Sequence, residues 1–446
     1  MAHRPACGRE NIFIQLKYII MSIMARTIAA AAALLALVAS AAAAGCVFEN
    51  PRPEYNKEDL SSETWCTPRE DLQGNRPPGL IYVNRPMLAL GVSGIPTLLN
   101  APLALTADDL KAAGVEVALM GVPADVSYAR RGSSWGPRAI RNSGDWYPAG
   151  FTMPDQYSRV DANGWNLGQG LVIADYGDAP VNPTSWYRSV GSIRAFVREV
   201  VETGAIPLIV GGDHAIMYPD VAAVVDVYGK GNVSLVLFDA HYDATKVTFG
   251  GEYTQANSIM NLVKEGLVDG SNIIIVGTRS WAPADSDLEW IRGQGIKFYN
   301  MPTIDAYGWE QVSNWIIKDL QESSAENVYV TIDLDVFEHI YAPATGTPEP
   351  NGLTPKQMLN MVRRLAAETN MVGAEVAEIN PLLEPASSVA GSPTTQLVNY
   401  LLRQMATGIK MRKDGLTEPW YINSTAIDGG QGQIPKDTKR QFDFST

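Results

Sequence analysis

Eight apolar runs of four to eight residues, rich in Val, Ile and Leu, recur from residue 116 onward. They are EVALMG (116–121), LVIA (171–174), IPLIV (206–210), VSLVLF (233–238), NIIIVG (272–277), IKFY (296–299), NVYVTI (327–332) and VGAEVAEI (372–379). Strands that are apolar on both faces must be covered on both faces. Helical periodicity at 187–202, 308–321, 355–368 and 394–408 supplies that cover, so the expected fold is α/β, a three-layer αβα sandwich around a parallel sheet of about eight strands. A chain of 446 residues with 46% hydrophobic content has enough apolar side chains for such a core.

The flanks read differently. MSIMARTIAAAAALLALVASAAAAGC carries Arg26, an apolar stretch and small residues before Cys46, the pattern of a secretory signal. Export is the expected destination, with lipid attachment at Cys46 or organelle import as alternatives. If the leader is cleaved ahead of Cys46, only Cys46 and Cys66 remain, as either one disulfide or two free thiols. The chain thus divides into a leader (1–46), a Pro- and Asn-rich extension expected on the surface (47–105), a main domain (106–412) and a polar tail (413–446). Of the two glycosylation triplets, only the one at Asn423 lies clear of an expected buried strand.

A formal charge of −13, from 35 basic and 48 acidic residues, argues against nucleic acid or an anionic membrane and for a small cationic substrate. No apolar run of the mature region is long enough to span a membrane. Three motifs sharpen this. GGDHAIMYP (211–219) follows IPLIV, FDAHYDA (238–244) ends VSLVLF, and TIDLDVF (331–337) ends NVYV. Ligands in open α/β sheets bind outside the carboxyl ends of the strands, which puts His214, Asp239, His241, Asp243, Asp333 and Asp335 on one rim. Four clustered carboxylates repel unless cations compensate them. Oxygen-rich ligands with a minority of imidazole suit Mn2+, and six ligands suit two ions that share carboxylates. Two adjacent divalent ions activate water as a nucleophile.

With these motifs the chain resembles the ureohydrolase family of arginases and agmatinases, whose hallmarks are Gly-Gly-Asp-His, Asp-Ala-His-x-Asp and Ser/Thr-x-Asp-x-Asp. The resemblance runs from about residue 116 to 408 and includes RRGSSWGPRAIR (130–141), DYGD (175–178), APATGTPEPNGLT (342–354) and EVAEINP (375–381). It implies an arginase-like fold, two Mn2+ per subunit held by His214, Asp239, His241, Asp243, Asp333 and Asp335, and hydrolysis of a guanidinium to urea and an amine. It further implies Glu378 as the carboxylate that grips the guanidinium, Asp243 as the group that passes a proton to the leaving amine, and a trimeric or hexameric assembly. Agmatine is the expected substrate. The alternatives are another guanidino or formimidoyl compound, or a metal-binding pseudoenzyme. An Arg such as Arg279 paired to Glu378 would count against the gripping role.

One departure matters. Where many members carry a histidine a dozen or so residues after the Asp-His-Asp motif, this chain has Gln255 within YTQANSIM. A glutamine lines a substrate site but cannot titrate. His339 or water is then the substitute for a proton relay.

Overall fold

Each of the eight apolar runs is a strand. The computed structural model describes residues 75–83, 94–126, 130–143, 171–246, 250–280, 284–384 and 392–415. The strands are β1 (Val117–Val122), β2 (Ile173–Asp178), β3 (Ile206–Gly211), β4 (Val233–Phe238), β5 (Ile273–Val276), β6 (Lys297–Tyr299), β7 (Asn327–Asp333) and β8 (Asn370–Ala377). They form one sheet in the order β2-β1-β3-β8-β7-β4-β5-β6, with every neighbouring pair parallel. The helices are α1 (Ala107–Ala113), α2 (Gly136–Asn142), α3 (Trp186–Val201), α4 (Met217–Tyr228), α5 (Ser258–Lys264), α6 (Asp285–Gly293), α7 (Met301–Tyr307), α8 (Trp309–Gln321), α9 (Pro355–Glu368) and α10 (Pro393–Lys413).

Strand alternation sorts the core into two layers. Leu235 and Leu237 of β4 pack with Ile193 and Val197 of α3 and Val221 of α4. Val236 and Phe238 face the other way, toward Val362 and Leu365 of α9 and Leu401 and Met405 of α10. Phe238 is fully buried, and its truncation to alanine would cost about 3–5 kcal/mol. The sandwich expected from the runs is therefore the observed fold.

Local signals set the helix ends. α9 starts at Thr354, which forms a capping box with Gln357, and Pro355 takes the first turn, where its missing N–H costs nothing. Met358, Met361, Val362 and Leu365 then bury one face. α10 runs to Lys413, five residues beyond the expected end. Its last turn carries Lys410, Arg412 and Lys413, favourable against the helix dipole.

The described parts of the extension, 75–83 and 94–105, depart from the expected surface course. Leu98 and Ala104 are fully buried. The Leu98 N–H donates to Asp175 Oδ2 at 2.8 Å, and Leu103 bridges to both Ile81 and Asp175. The apolar pieces of this Pro-rich stretch thus serve the core beside β2. The leader, Cys46, Cys66, Asn423 and most of the tail lie outside the described residues. Among the described residues no helix is long and apolar enough to cross a membrane.

The order of the sheet places the motifs. β3, β8, β7 and β4 are consecutive at its centre, and GGDH, EINP, TIDLD and FDAHYDA leave their C-terminal ends.

Candidate metal centre

Of the two glycines in GGDH, Gly212 is pressed against the loop after β1. A Cβ there would lie 2.1 Å from the Ala124 carbonyl oxygen, so no larger residue fits. The Gly212 carbonyl accepts the Glu378 N–H at 2.8 Å. Asp213 caps the short turn that follows, accepting the Ala215 N–H through Oδ1 at 3.2 Å and the Val126 N–H through Oδ2. His214 is thereby delivered, fully buried, to the rim.

All six residues expected to bind metal converge. His214 Nδ1 lies 3.0 Å from Asp243 Oδ2 and 3.3 Å from both Asp239 Oδ2 and Asp333 Oδ2. His241 Nδ1 lies 2.9 Å from Asp335 Oδ2 and 3.2 Å from Asp239 Oδ1. Two donor groups result, His214/Asp239/Asp333 and Asp239/His241/Asp335, each with its ligating atoms within 4.8 Å of one another. Asp239 belongs to both, one oxygen facing each group, as a bridging carboxylate must.

These contacts fit cations. His214 Nδ1 and Asp239 Oδ2 are buried and have no hydrogen-bond partner, and three carboxylate oxygens crowd one ring nitrogen. Backbone donors orient the carboxylates instead of neutralising them: Ala240 N–H to Asp335 Oδ1 at 3.0 Å, Asp335 N–H to Asp333 Oδ1 at 2.8 Å, and His241 N–H to Asp239 Oδ1 at 2.6 Å. The donors are oxygens and imidazole nitrogens without sulfur, a set suited to two hard or borderline divalent ions.

The electrostatics without cations show the same demand. Burial, then the charge of Asp239, pushes Asp243 up to about 7. Burial, then the charges of Asp335 and Asp239, raises Asp333 well above the carboxylate range. Burial and the charge of Asp239 also raise Asp335. For His214, burial alone would lower the pKa, but the close carboxylates of Asp239, Asp243 and Asp333 raise it well above the ordinary value. Asp239 alone is lowered: burial opposes its charge, and the two imidazoles outweigh that. Asp243 also holds a left-handed backbone, φ 45°, which is uncommon outside glycine and asparagine and recurs at functional positions.

Glu378, directly after β8, is 1% exposed with φ 60°. Its Oε1 accepts the His214 N–H at 3.0 Å, while Oε2 is buried without a partner. Burial, then the charge of Asp213, raises its pKa well above the usual range. Arg279 does not pair with it. That guanidinium is spent on the backbone carbonyls of Asp335, Phe337, Glu349 and Pro350 at 2.7–3.2 Å. Gln255 lies in a short turn before α5, 7% exposed, with Oε1 unpartnered. His339 is exposed on the loop after β7 and joins none of the described hydrogen bonds.

Gly346, Glu349, Thr331 and Glu375 lie within the quoted motifs, yet the sequence alone assigns them no role. Gly346 leaves open the space before Glu378 Oε2, and Glu349 Oε1 lies 3.8 Å from His241 Nε2. The available signal for Thr331 was its place in the same i, i+2, i+4 alternation as Asp333 and Asp335. For Glu375 it was a carboxylate interrupting an otherwise apolar strand.

Comparison with known proteins supplies the context for this geometry. The arginase family model matches residues 115–407. The chain is 30% identical over 318 residues to a mitochondrial agmatinase of Gallus gallus, covering 71% of this chain and 86% of that one. It is 32% identical over 312 residues to a guanidinopropionase of Pseudomonas aeruginosa, covering 69% and 91%. A crystal structure from Burkholderia thailandensis, described as a hypothetical agmatinase, superposes with a TM-score of 0.63 at 26% identity, covering 75% of this chain and 97% of the other.

Proposed function

The chain belongs to the arginase family, hydrolases of guanidino C–N bonds, and from that premise we propose that it converts agmatine to putrescine and urea at a di-manganese centre. The observation that carries the reading is the free Oε2 of Glu378 beside two donor groups that share Asp239. His214, Asp239, Asp243 and Asp333 would hold one ion and Asp239, His241 and Asp335 the other. Bound there, the pair supplies Lewis-acid activation of water.

The protein's own groups do the rest. A guanidinium is planar and presents several N–H donors, which a carboxylate accepts best in paired hydrogen bonds. Glu378 offers Oε2 for this while the His214 N–H fixes its other oxygen. The arriving cation also stabilises the ionised form that burial disfavours. Asp243, beside the leaving amine by the family resemblance, would hand it a proton. Gln255 offers a fixed amide to the substrate and no titrating group.

Agmatine is favoured because the further carboxylates at the ligand groups, Glu349 and Glu378, suit a substrate cationic at both ends. The similarity to a guanidinopropionase supports guanidino acids as the second reading. Trimeric or hexameric assembly belongs to the same proposal and is read by light scattering. The test is urea release by the Mn2+-loaded chain from agmatine, guanidinobutyrate, guanidinopropionate and arginine. The highest kcat/KM with agmatine is expected. Turnover of a guanidino acid alone would replace the substrate, and no urea from any, with metal bound, would overturn the hydrolase assignment.

A further inference from the structure

Behind His214 lies a run of buried polar groups outside the two donor groups. His214 Nε2 sits 2.7 Å from Thr331 Oγ1, Thr331 Oγ1 donates to Glu375 Oε1 at 2.7 Å, and the Tyr329 hydroxyl donates to Glu375 Oε2 at 2.8 Å. All four residues are fully buried. Thr331 and Glu375 are direct neighbours across the β7–β8 register, so the sheet fixes their separation.

The hydroxyl of threonine has one proton. Here it is committed to a carboxylate already accepting from a tyrosine. Thr331 Oγ1 therefore faces His214 as an acceptor, and the imidazole must donate its Nε2–H. With one proton committed on Nε2, Nδ1, the atom crowded by Asp239, Asp243 and Asp333, is the nitrogen whose lone pair is available to a cation. A histidine that ligates through one nitrogen is oriented and kept in the right tautomer by the partner of the other.

We propose that Thr331, anchored by Glu375, is a positioning residue that sets the His214 tautomer and so prepares one of the two cation sites. The inference rests on the reading of His214 as a metal ligand. Its selectivity is specific: Thr331 acts on the His214 group and not on the group built from His241 and Asp335, which has its own second partner in Thr347, donating to Asp335 Oδ2 at 2.9 Å.

The test is titration of the metal-free full-length chain with Mn2+, following free ion by electron paramagnetic resonance. It is run on wild type, Thr331→Val, Thr331→Ser, Thr331→Ala and Tyr329→Phe, with circular dichroism to verify folding. Thr331→Val keeps the shape and removes the hydroxyl. It should weaken one of two Mn2+ sites about 10–100-fold, the usual effect of losing such a partner, and leave the other unchanged. Thr331→Ser should restore wild-type affinity. Thr331→Ala, which leaves room for water, replaces the valine variant if that one misfolds and should weaken the same single site. Tyr329→Phe, which disturbs the same Glu375 without removing the Thr331 hydroxyl, should bind both ions as wild type does. Wild-type affinity in the folded valine or alanine variant would overturn the inference, as would equal losses in the serine and phenylalanine variants, since those mark a packing role. A wild-type chain that binds no Mn2+ would instead overturn the metal reading on which this one stands.

Discussion

Gly346→Ala isolates the grip of Glu378 from everything else at the site. A Cβ at 346 would stand 2.9 Å from Glu378 Oε2 and 3.8 Å from the Arg130 carbonyl oxygen. The first distance is shorter than real Cβ contacts. The carboxylate has little room to retreat, because His214 N–H holds Oε1 and Gly212 O holds the Glu378 backbone. The new methyl would occupy the approach to the one oxygen that lacks a partner. Losing one hydrogen bond between a carboxylate and a guanidinium forfeits about 1.5–3 kcal/mol. The expected drop in kcat/KM for urea release is therefore about 10–150-fold. Mn2+ stoichiometry should stay at wild type, since neither Gly346 nor Glu378 belongs to the donor groups. A modest fall in melting temperature is expected, because a carboxylate held through Oε1 cannot move fully away from the methyl. Unchanged kcat/KM in a folded, metal-loaded variant would refute the role of Oε2, and loss of metal together with activity would refute the separation of grip from ligands.

Three further expectations follow from the same geometry. Asp239→Ala should lose both ions while Asp335→Ala loses one, a contrast read by metal analysis after gel filtration; equal losses would deny Asp239 its bridging place. In the metal-free chain, Asp243 near 7 and the raised His214, His241, Asp333 and Asp335 make the folded state hold more protons than the unfolded one. Stability is then greatest at mildly acidic pH and falls as pH rises through 7, the lowered Asp239 acting only below the ordinary carboxylate range. Ligand deprotonation makes ion binding stronger at high pH, so melting scans of chelated and Mn2+-loaded protein from pH 6 to 9 should diverge, and parallel curves would contradict it. Gln255→His should add an ionisation near 6.5 to the pH dependence of kcat/KM; an unaltered profile would place residue 255 away from the reacting groups.

The strands and the convergence of six ligands were legible because both rest on period-two patterns, which a strand converts directly into facing. FDAHYDA and TIDLDVF say by spacing alone which side chains share a side. The course of residues 94–105 was not legible. Its apolar residues follow no sustained period and are interrupted by Pro96 and Pro102, and only tertiary packing reveals that Leu98 and Ala104 insert beside β2. The free oxygen of Glu378 and the fate of Arg279 were equally hidden, because carbonyls of the β7–α9 connection, 56 to 71 residues further on, claim that arginine. The link between Thr331 and His214 crosses β3, β8 and β7, and no spacing within one segment encodes it.

The placement of β8 and β7 between β3 and β4 sets a schedule for biosynthesis. A ribosome-bound chain that has emerged only through β6 owns His214, Asp239, His241 and Asp243 but lacks the two strands that sit between their carriers. Its half-sheets present unpaired edges at β3 and β4, the kind of surface that invites association with other chains. Closure waits for contacts as distant in sequence as His214 with Glu378, 164 residues apart, which slows folding. Capture at the His214 group thus comes at the end of assembly, because β8 must lie between β3 and β7 before His214 meets Asp333, whereas the Asp239/His241/Asp335 group needs only β4 and β7.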